Sequence, residues 1–547
     1  MQDLSFDFND PIWEFNGLRF GVQVFTFENV YGLDRDASTV TAGAQSLVVD
    51  CGGLTWAGGQ ECAPGGARVT AQAGPNTTPN TTIFTVEAWA HTRIRCVKLV
   101  LKGMPDGAIV NLRETEALRI PPEGLRLVYP SGWGGLHTPL VVMRDGEGAL
   151  CYVRSLDTRV REKRFTLLRR DDGLDIELIF EENATEMGNR VLVPAWEVGA
   201  AATLDAIMAP HARHVADAYG LLPWDERRDV PDWARSISLV AAIHCQHWTG
   251  YVFNDYAKVL RTIQWLAERI EPERILAYLP GWEGRYYWQY GDYRPDPRMG
   301  GEQGFGRLVD GARHIGAHVM PMFGINGVNR GLPNYEQWGA PAQVVSAGGN
   351  QFGGSVDWDG SRHYDHGSGT LLNPGSPTWQ NRLVTQVTEL IDRFGFDGVF
   401  LDISAVWTND PRFQIYDGVT QLIRRIRQGR PEILVAGEGW YDGIAAATPL
   451  MQSGHSDGVM HWHDQPYPAL FDTFSRGFGH LCIGDPGRGS TGVHELGYNT
   501  ERRVPLRKGL LPTVTIVEDT LERAPEQVAQ IIDDARAYAA AFHAPKA

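Results

Sequence analysis

The pattern of hydrophobic and polar residues divides the chain into two halves with different periods. In the first half, short runs rich in Val, Ile, Thr and aromatic residues are separated by turn clusters such as GGLTWAGG and GPNTTPNTT. The runs lie at 18–27, 82–88, 94–101, 125–129, 140–143, 150–153 and 174–180. Asp145-Gly146 and Asp172-Gly173 predict hairpin turns. Almost no stretch has helical periodicity, so we predict a large antiparallel β-sandwich over residues 1–228.

A proline-bracketed segment separates the two halves. It runs from Leu221 to Pro231, carries several charges and has a second proline at Pro223. This composition is typical of a linker. We therefore place a second domain over residues 229–547.

In the second half, apolar strand-like runs alternate with amphipathic helical stretches, which is typical of parallel βα units. The predicted strands are 237–243, 275–279, 318–323, 398–402, 433–438, 458–463, 480–483 and 513–519. The predicted helices are 255–270, 305–315, 378–394, 419–428, 467–474 and 525–542, with a long insertion after the third strand. Eight such units predict a closed (β/α)8 (TIM) barrel with its active site at the carboxyl ends of the strands. An open doubly wound sheet is the competing fold, but no GxGxxG motif follows a first strand.

Two acidic residues end neighbouring strands of this predicted barrel. Asp402 ends the fourth strand in GFDGVFLD, and Glu438 ends the fifth in VAGEGW. Two carboxylates at the tops of adjacent strands can flank one glycosidic bond and divide the work of nucleophile and acid. An acid at a strand end can also be a helix cap or an ion-pair partner. Because two acids occupy corresponding positions, we predict that they are the catalytic pair of a glycosidase.

The sandwich followed by a barrel, together with these two motifs, resembles retaining α-glycosidases. The similar groups are the endo-α-N-acetylgalactosaminidase, α-amylase and α-galactosidase-like barrels. The first two imply that Asp402 is the nucleophile and Glu438 the general acid/base, whereas the α-galactosidase group has its acid/base on strand six. The chain departs from the amylase pattern because Phe400 stands where those enzymes have Arg, and no Lys precedes the strand-four Asp as in α-galactosidases. The resemblance therefore implies a retaining mechanism and leaves the sugar open.

Further residues on the predicted catalytic face suit a polyhydroxyl ligand. The loop after strand two, LPGWEGRYYWQYGDY, is rich in aromatic and charged residues, although it could instead pack down on the barrel rim. Trp407 and Trp440 follow the catalytic candidates and could stack on a sugar or serve in packing. The predicted substrate-binding residues are Trp282, Glu283, Arg285, Tyr286, Trp407, Trp440, His461, His463, Asp464, His247 and Asp519. Asp464 could serve as a third carboxylate.

Charge and composition exclude other classes of partner. The formal net charge of −16 and the absence of a basic stripe argue against nucleic acid. No secretory signal is visible, and no apolar run approaches the roughly 20 residues of a membrane helix. The six cysteines have no CxxC spacing, so we expect a reduced, cytoplasmic protein without a metal or other cofactor. We expect an oligosaccharide or other glycoside as its partner. The sequence leaves open whether the protein forms a homo-oligomer.

Two rival functions remain. Histidines after strands one and six also occur in metal-dependent amidohydrolase barrels, which need closely spaced His ligands on strand one. Strand one ends instead in His244-Cys245-Gln246-His247. A non-catalytic carbohydrate-binding protein would keep the aromatic residues but would have no use for the two acids.

Overall fold

The computed structural model describes residues 10–56, 61–74, 81–112, 117–132, 135–247, 250–284, 288–349, 356–357, 368–452, 468–479 and 506–543. The chain forms two compact units. One contains residues 1–131 and 135–220, and the other contains residues 132–134 and 221–547.

The first unit is built from antiparallel strands, as the short alternating runs predicted. Its strands are β1 Trp13–Phe15, β2 Leu18–Thr26, β3 Val30–Leu33, β4 Ser38–Ala42, β5 Ser46–Trp56, β6 Glu61–Ala73, β7 Thr81–Ala90, β8 Ile94–Met104, β9 Gly107–Ile109, β10 Leu118–Arg119, β11 Leu125–Tyr129, β12 Leu140–Asp145, β13 Leu150–Ser155, β14 Lys163–Arg170, β15 Gly173–Phe180 and β16 Arg190–Ala201. They pair in the order β10-β9-β12-β13-β16-β7-β6-β5-β3-β2-β8-β15-β14-β11, with β1 beside β2 and β4 beside β5.

Strands that are far apart in this order pack face to face around one apolar core. The ring of Phe20 on β2 lies 5.1 Å from that of Phe84 on β7, and Phe165 on β14 lies 5.4 Å from Trp196 on β16. These four side chains belong to a single buried apolar cluster, which contains residues from strands at both ends of this order. The predicted sandwich is therefore confirmed. So are the two predicted hairpins, which join β12 to β13 and β14 to β15.

A helix that the hydrophobic pattern did not predict ends this unit. It is α1, Leu204–Tyr219, capped by the Thr203 hydroxyl, which accepts a hydrogen bond from the Ala206 N–H (3.3 Å). Pro210 lies inside it and His211 occupies a buried position of its inner face. A proline and a histidine interrupt the apolar periodicity by which a helix is identified. One nitrogen of the His211 ring nonetheless has a partner in the core, because Nε2 lies 2.6 Å from the Thr138 hydroxyl.

The second unit alternates strands and helices. Its elements are β17 Leu239–Ile243, α2 Tyr256–Ala267, β18 Ile275–Leu279, α3 Gly301–Ile315, β19 His318–Gly324, β20 Gly327–Asn329, α4 Tyr335–Trp338, β21 Val356–Asp357, β22 Ser368–Leu371, α5 Pro377–Phe394, β23 Gly398–Asp402, α6 Ile415–Arg427, β24 Leu434–Glu438, β25 Leu450–Gln452, α7 Pro468–Phe474, β26 Arg476–Phe478, β27 Thr513–Ile516, α8 Thr520–Arg523 and α9 Pro525–Phe542. Short 3-10 turns lie at Trp224–Glu226, Asp232–Ser236, Pro272–Arg274, Pro297–Met299, Ala340–Ala342 and Ile444–Ala446.

Eight parallel strands form the predicted barrel. Their order is β27-β17-β18-β19-β23-β24-β25-β26. The remaining gap is closed by Gly477 on β26, whose N–H donates to the Gly509 carbonyl (2.7 Å) and whose carbonyl accepts from the Leu511 N–H (2.7 Å). β17, β18, β23 and β24 are buried along their whole length, which explains their apolar sequences. The insertion after β19 contains a small antiparallel sheet with the order β20-β22-β21.

In the described part of the chain, the sixth barrel strand is β25, Leu450–Gln452, and the seventh is β26, Arg476–Phe478, neither of which was predicted. The predicted strands 458–463 and 480–483 lie outside the described residues. Three-residue strands carry too little pattern to identify. β26 also begins with a buried arginine, which is stabilised by donating to the carbonyls of Asp472 (2.6 Å) and Ser475 (2.7 Å). Within the described part of the chain, no helix has the length and apolar character needed to cross a membrane.

Candidate active site

The parallel register of β23 and β24 brings Asp402 and Glu438 to the same end of the barrel. Leu401 is aligned with Gly437, so the next residue on each strand is one of the two acids. On the other side, Asp402 is aligned with Gly324 at the end of β19. The GFDGVFLD and VAGEGW motifs therefore place their carboxyl groups side by side, as predicted from the strand ends.

The two carboxyl groups are in hydrogen-bond contact with each other and are shielded from solvent. The exposed fraction is 0% for Asp402 and 1% for Glu438. The Tyr290 hydroxyl donates to Asp402 Oδ2 (2.8 Å), and the Ile403 N–H donates to Glu438 Oε2 (2.8 Å). Asp402 Oδ1 has no hydrogen-bond partner among the described residues. The pair is thus held in place from two sides.

Burial and the adjacent carboxyl group control the protonation of this pair. Burial raises the pKa of Asp402 well above its usual range, and the charge of Glu438 raises it further. The Tyr290 hydrogen bond acts in the opposite direction and lowers the pKa. Two carboxyl groups in contact and out of water cannot both be ionised at low cost, so we expect the pair to keep one proton near neutral pH.

The chain around Glu438 fixes its backbone precisely. The Ser404 hydroxyl accepts from the Glu438 N–H (2.9 Å) and lies 3.2 Å from the Glu438 carbonyl, to which it donates. A Cβ at Gly437 would collide with the same hydroxyl oxygen. Only glycine allows this close approach, which explains the residue that precedes the acid in VAGEGW.

Glu283 is a third buried acid near this end of the barrel. Its exposed fraction is 1%, and neither carboxyl oxygen has a hydrogen-bond partner among the described residues. Burial, together with the charge of Asp296, raises its pKa from 4.5 to about 8. Its charge also raises the pKa of Asp402, so the two groups share one electrostatic environment. A buried acid without a partner is costly, and such groups are concentrated at functional sites.

Trp282 and Trp440 serve in packing, the alternative that the sequence left open for them. The Trp282 indole N–H donates to the Met322 carbonyl (2.8 Å), and its ring packs 4.8 Å from that of Phe305. The Trp440 indole N–H donates to the Ser475 hydroxyl (3.3 Å), and its ring meets Phe471 at 5.5 Å. Both rings are almost completely buried, so the structure presents neither of them to a ligand.

The other described candidates occupy three loops of the barrel end. Trp407, after β23, is half-buried, and its indole N–H has no acceptor within the described residues. His247, after β17, donates its backbone N–H to the Tyr251 carbonyl (2.8 Å). Asp519, after β27, directly precedes α8 and forms an ion pair (3.0 Å) with Arg523, the last residue of that helix. Arg285, Tyr286, His461, His463 and Asp464 lie outside the described residues and stay sequence predictions.

Two residues of the site were missed. Tyr290, which contacts Asp402, lies in the aromatic-rich loop after β18, where no pattern distinguishes it from five aromatic neighbours. Asn326 follows β19, and its Nδ2 donates to the Ile403 carbonyl (3.3 Å), while its Oδ1 lacks a partner among the described residues. Asn326 could have been found, since polar residues just beyond barrel strands line such sites.

The described residues offer little to a metal ion. Within them, no group of three or more His, Cys, Asp or Glu side chains is arranged to hold one. The arrangement that the structure does provide is a buried carboxyl pair with an adjacent tyrosine hydroxyl and an adjacent amide.

Comparison with known proteins bears on the fold of the chain. No family model matches the chain. A protein from Monosiga brevicollis, provisionally named glycoside hydrolase 22789, is 25% identical over 288 residues, which is 47% of this chain and 24% of that protein. The chain therefore spans about a quarter of that relative's length.

Solved structures match over nearly the whole chain. The ligand-free α-N-acetylgalactosaminidase NagBb from Bifidobacterium bifidum has a TM-score of 0.66 at 14% identity, covering 96% of this chain and 93% of that one. The GH36 α-galactosidase AgaA from Geobacillus stearothermophilus has a TM-score of 0.51 at 10% identity, covering 95% and 75%. At these identities the likeness establishes the fold: the chain has the sandwich-and-barrel architecture of these two enzymes.

Proposed function

We propose that the protein is a glycoside hydrolase that cleaves α-glycosidic bonds with retention of configuration. The observation that carries this proposal is the buried Asp402–Glu438 pair at the ends of adjacent barrel strands. Such a pair supplies one ionised and one protonated carboxyl group at the same time, which is what double displacement requires. The enzymatic names of the structural neighbours agree with this chemistry.

In the proposed mechanism, the one proton that the pair keeps lies on Glu438, and the ionised Asp402 attacks the anomeric carbon. Glu438 donates its proton to the glycosidic oxygen, so the alcohol leaves and a covalent glycosyl–Asp402 ester forms. Glu438, now ionised, takes a proton from water, and the resulting hydroxide displaces Asp402 from the anomeric carbon. Asp402 regains its negative charge and the sugar leaves with its original anomeric configuration. No cofactor takes part in these steps.

The names of the neighbours suggest the substrates to try first. They describe an α-N-acetylgalactosaminidase and α-galactosidases. We therefore propose an α-galactoside or an α-N-acetylgalactosaminide as the substrate class. Asn326 Oδ1 and the Trp407 indole N–H offer an acceptor and a donor that are unused among the described residues, which suits a sugar substituent with both a donor and an acceptor.

The direct contact between the two carboxyl groups favours one alternative assignment. A nucleophile and an acid/base in retaining enzymes stand roughly 5–5.5 Å apart, with the reacting bond between them. Groups in hydrogen-bond contact must separate before a sugar can react, and their burial means that covering residues must move as well. In the alternative, Glu438 stays beside Asp402 and positions it, while Asp464, from the segment after β25, protonates the leaving group.

Leaving-group dependence distinguishes these assignments. Nitrophenyl and phenyl α-galactosides and α-N-acetylgalactosaminides are compared with the wild type, Asp402→Asn, Glu438→Gln and Asp464→Asn. We expect Asp402→Asn to lose turnover of every substrate. The variant that lacks the acid/base should lose the phenyl substrates, which need protonation, and should keep much of its first step on nitrophenyl substrates, with azide restoring turnover. We expect this pattern for Glu438→Gln, and finding it for Asp464→Asn would support the alternative.

The same panel tests the rival functions. A wild-type protein that hydrolyses none of these glycosides, and none of a wider aryl-glycoside set, would contradict the proposed function. If the protein only binds carbohydrate, Asp402→Asn should bind sugar like the wild type and neither should show turnover. A metal-dependent hydrolase would lose its activity after chelation and regain it with added metal, whereas we expect no change.

A further inference from the structure

Ile403, the residue directly after Asp402, has an unusual backbone conformation. Its φ is +52°, in the left-handed region. A β-branched side chain is sterically disfavoured there, because its Cβ branches approach the neighbouring backbone. Such a conformation persists only where the surroundings hold it, and residues of this kind concentrate at functional sites.

Hydrogen bonds hold both ends of the Ile403 backbone. Its N–H donates to Glu438 Oε2 (2.8 Å). Its carbonyl accepts from Asn326 Nδ2 (3.3 Å) and from the Val406 N–H (3.3 Å). Asn326 comes from the loop after β19 and is buried, so its amide is a fixed anchor. A return of Ile403 to an ordinary negative φ would rotate its peptide group, and the N–H would leave Glu438.

We propose that Ile403 is a positioning residue whose left-handed backbone, anchored by Asn326, holds the Glu438 carboxyl group against Asp402. The strained conformation is thereby used to aim one backbone N–H at one carboxyl oxygen. The catalytic consequence of this arrangement rests on the proposed function, whereas its structural consequence does not.

A double-mutant cycle between Asn326 and Ile403 tests the proposal. Asn326→Ser shortens the side chain and removes the anchor, and Ile403→Gly removes the steric cost of the left-handed region. With isoleucine in place, loss of the anchor should let the backbone relax, so kcat should fall about tenfold or more. With glycine in place, the left-handed conformation needs no anchor. In the Ile403→Gly background, Asn326→Ser should then lower kcat by about threefold or less.

Asn329 provides a matched control. It is the last residue of β20 and is also buried, but its amide donates to the Trp288 carbonyl (2.8 Å) and its Oδ1 accepts from the Gly331 N–H (2.8 Å). Asn329→Ser should therefore lower kcat by the same factor in the isoleucine and glycine backgrounds. A role of Asn326 in stability alone would give this same additive result.

Hydrogen exchange provides a reading that does not depend on catalysis. By mass spectrometry, Asn326→Ser should increase exchange in the peptide that covers 400–406 when residue 403 is isoleucine, and much less when it is glycine. The inference would be overturned if Asn326→Ser changed both kcat and exchange by the same amount in the isoleucine and glycine backgrounds. It would also be overturned if the single variant Ile403→Gly lost most of its kcat. If the wild type has no turnover but the exchange data are non-additive, the proposed function fails and the positioning role stands.

Discussion

The carboxyl groups of Asp402 and Glu438 are in hydrogen-bond contact at the ends of neighbouring barrel strands, and almost no solvent reaches either group. This relationship has an energetic cost, because a buried charge must be compensated or neutralised. The hydrogen bond from Tyr290 lowers the pKa of Asp402, and the charge of Glu283 raises it.

The Tyr290 hydrogen bond should set the acid limb of the pH–rate profile. The hydroxyl donates to Asp402 Oδ2 and lowers its pKa, so Tyr290→Phe should raise that pKa. Because the nucleophile must be ionised, the acid limb of kcat/KM should move to higher pH. At pH values below that limb, kcat/KM of Tyr290→Phe should be about 10- to 100-fold lower than that of the wild type, which corresponds to the usual free energy of a hydrogen bond to a charged group. Kinetics from pH 4 to 9 would measure the change.

Tyr293→Phe is the control for this prediction. The Tyr293 hydroxyl bonds to the backbone of Gly324 rather than to Asp402, accepting from its N–H at 2.7 Å. Its removal should lower the melting temperature without moving the acid limb. An unchanged limb in Tyr290→Phe, or an equal movement in both variants, would contradict the role of Tyr290.

Asp402→Asn should stabilise the fold, and most strongly at high pH. Burial and Glu438 raise the folded-state pKa of Asp402, so between its usual pKa and the raised value the Asp402–Glu438 pair of the folded protein keeps a proton that the unfolded chain releases. Stability of the wild type therefore falls as pH rises through this window. Asparagine does not titrate, so the variant should melt several degrees higher at pH 8 and nearly at the wild-type temperature at pH 4. A difference that is constant with pH would contradict this account.

Asp157, in the first unit, should show the opposite behaviour. Burial raises its pKa, but Lys163 and Arg161 outweigh that effect and bring it to about 2. Its contribution to stability is present above the usual pKa of an aspartate and is lost as pH falls toward 2. Asp157→Asn should therefore destabilise the protein at pH 7, and the difference should shrink in acid. Calorimetric melts from pH 3 to 8 would compare the two variants directly.

Glu283→Gln should also stabilise the protein as pH rises. The pKa of Glu283 is about 8 in the folded state, against 4.5 ordinarily, so wild-type stability should fall between those values. Since one pKa unit corresponds to 1.36 kcal/mol, the gain at pH 8 should be on the order of several kcal/mol. Urea unfolding at pH 5 and pH 8 would measure it. A gain at pH 5 that equals or exceeds the gain at pH 8 would show that Glu283 is not a buried neutral acid.

The sequence was sufficient to predict the parts of the fold that have strong periodicity. The strand Gly398–Asp402 and the helix Pro525–Phe542 were predicted with the bounds they have, because continuous apolar runs and regular amphipathic spacing specify them. The short strands Leu450–Gln452 and Arg476–Phe478 could not be predicted, since their formation depends on pairing with neighbours distant in sequence.

The site was predictable where strand ends determine position and not where loops do. The alignment of the strand ends that carry Asp402 and Glu438 follows from the register of parallel strands, while the catalytic role of the two acids stays a prediction. Trp282 follows a strand equally closely, yet the chain turns its ring into the barrel wall to meet the Met322 carbonyl. The contacts of Tyr290 and Asn326 depend on loop conformations that no periodicity encodes.

Trapping the covalent intermediate tests the central claim most directly. A 5-fluoro-α-galactosyl fluoride, or its 2-acetamido counterpart if that is the sugar accepted, should form the glycosyl-enzyme faster than water can release it. Peptic digestion and tandem mass spectrometry would then locate the sugar. We predict one glycosyl group per chain, on the carboxylate of Asp402. A glycosyl group on any other residue, or hydrolysis with inversion of the anomeric configuration by NMR, would contradict the account.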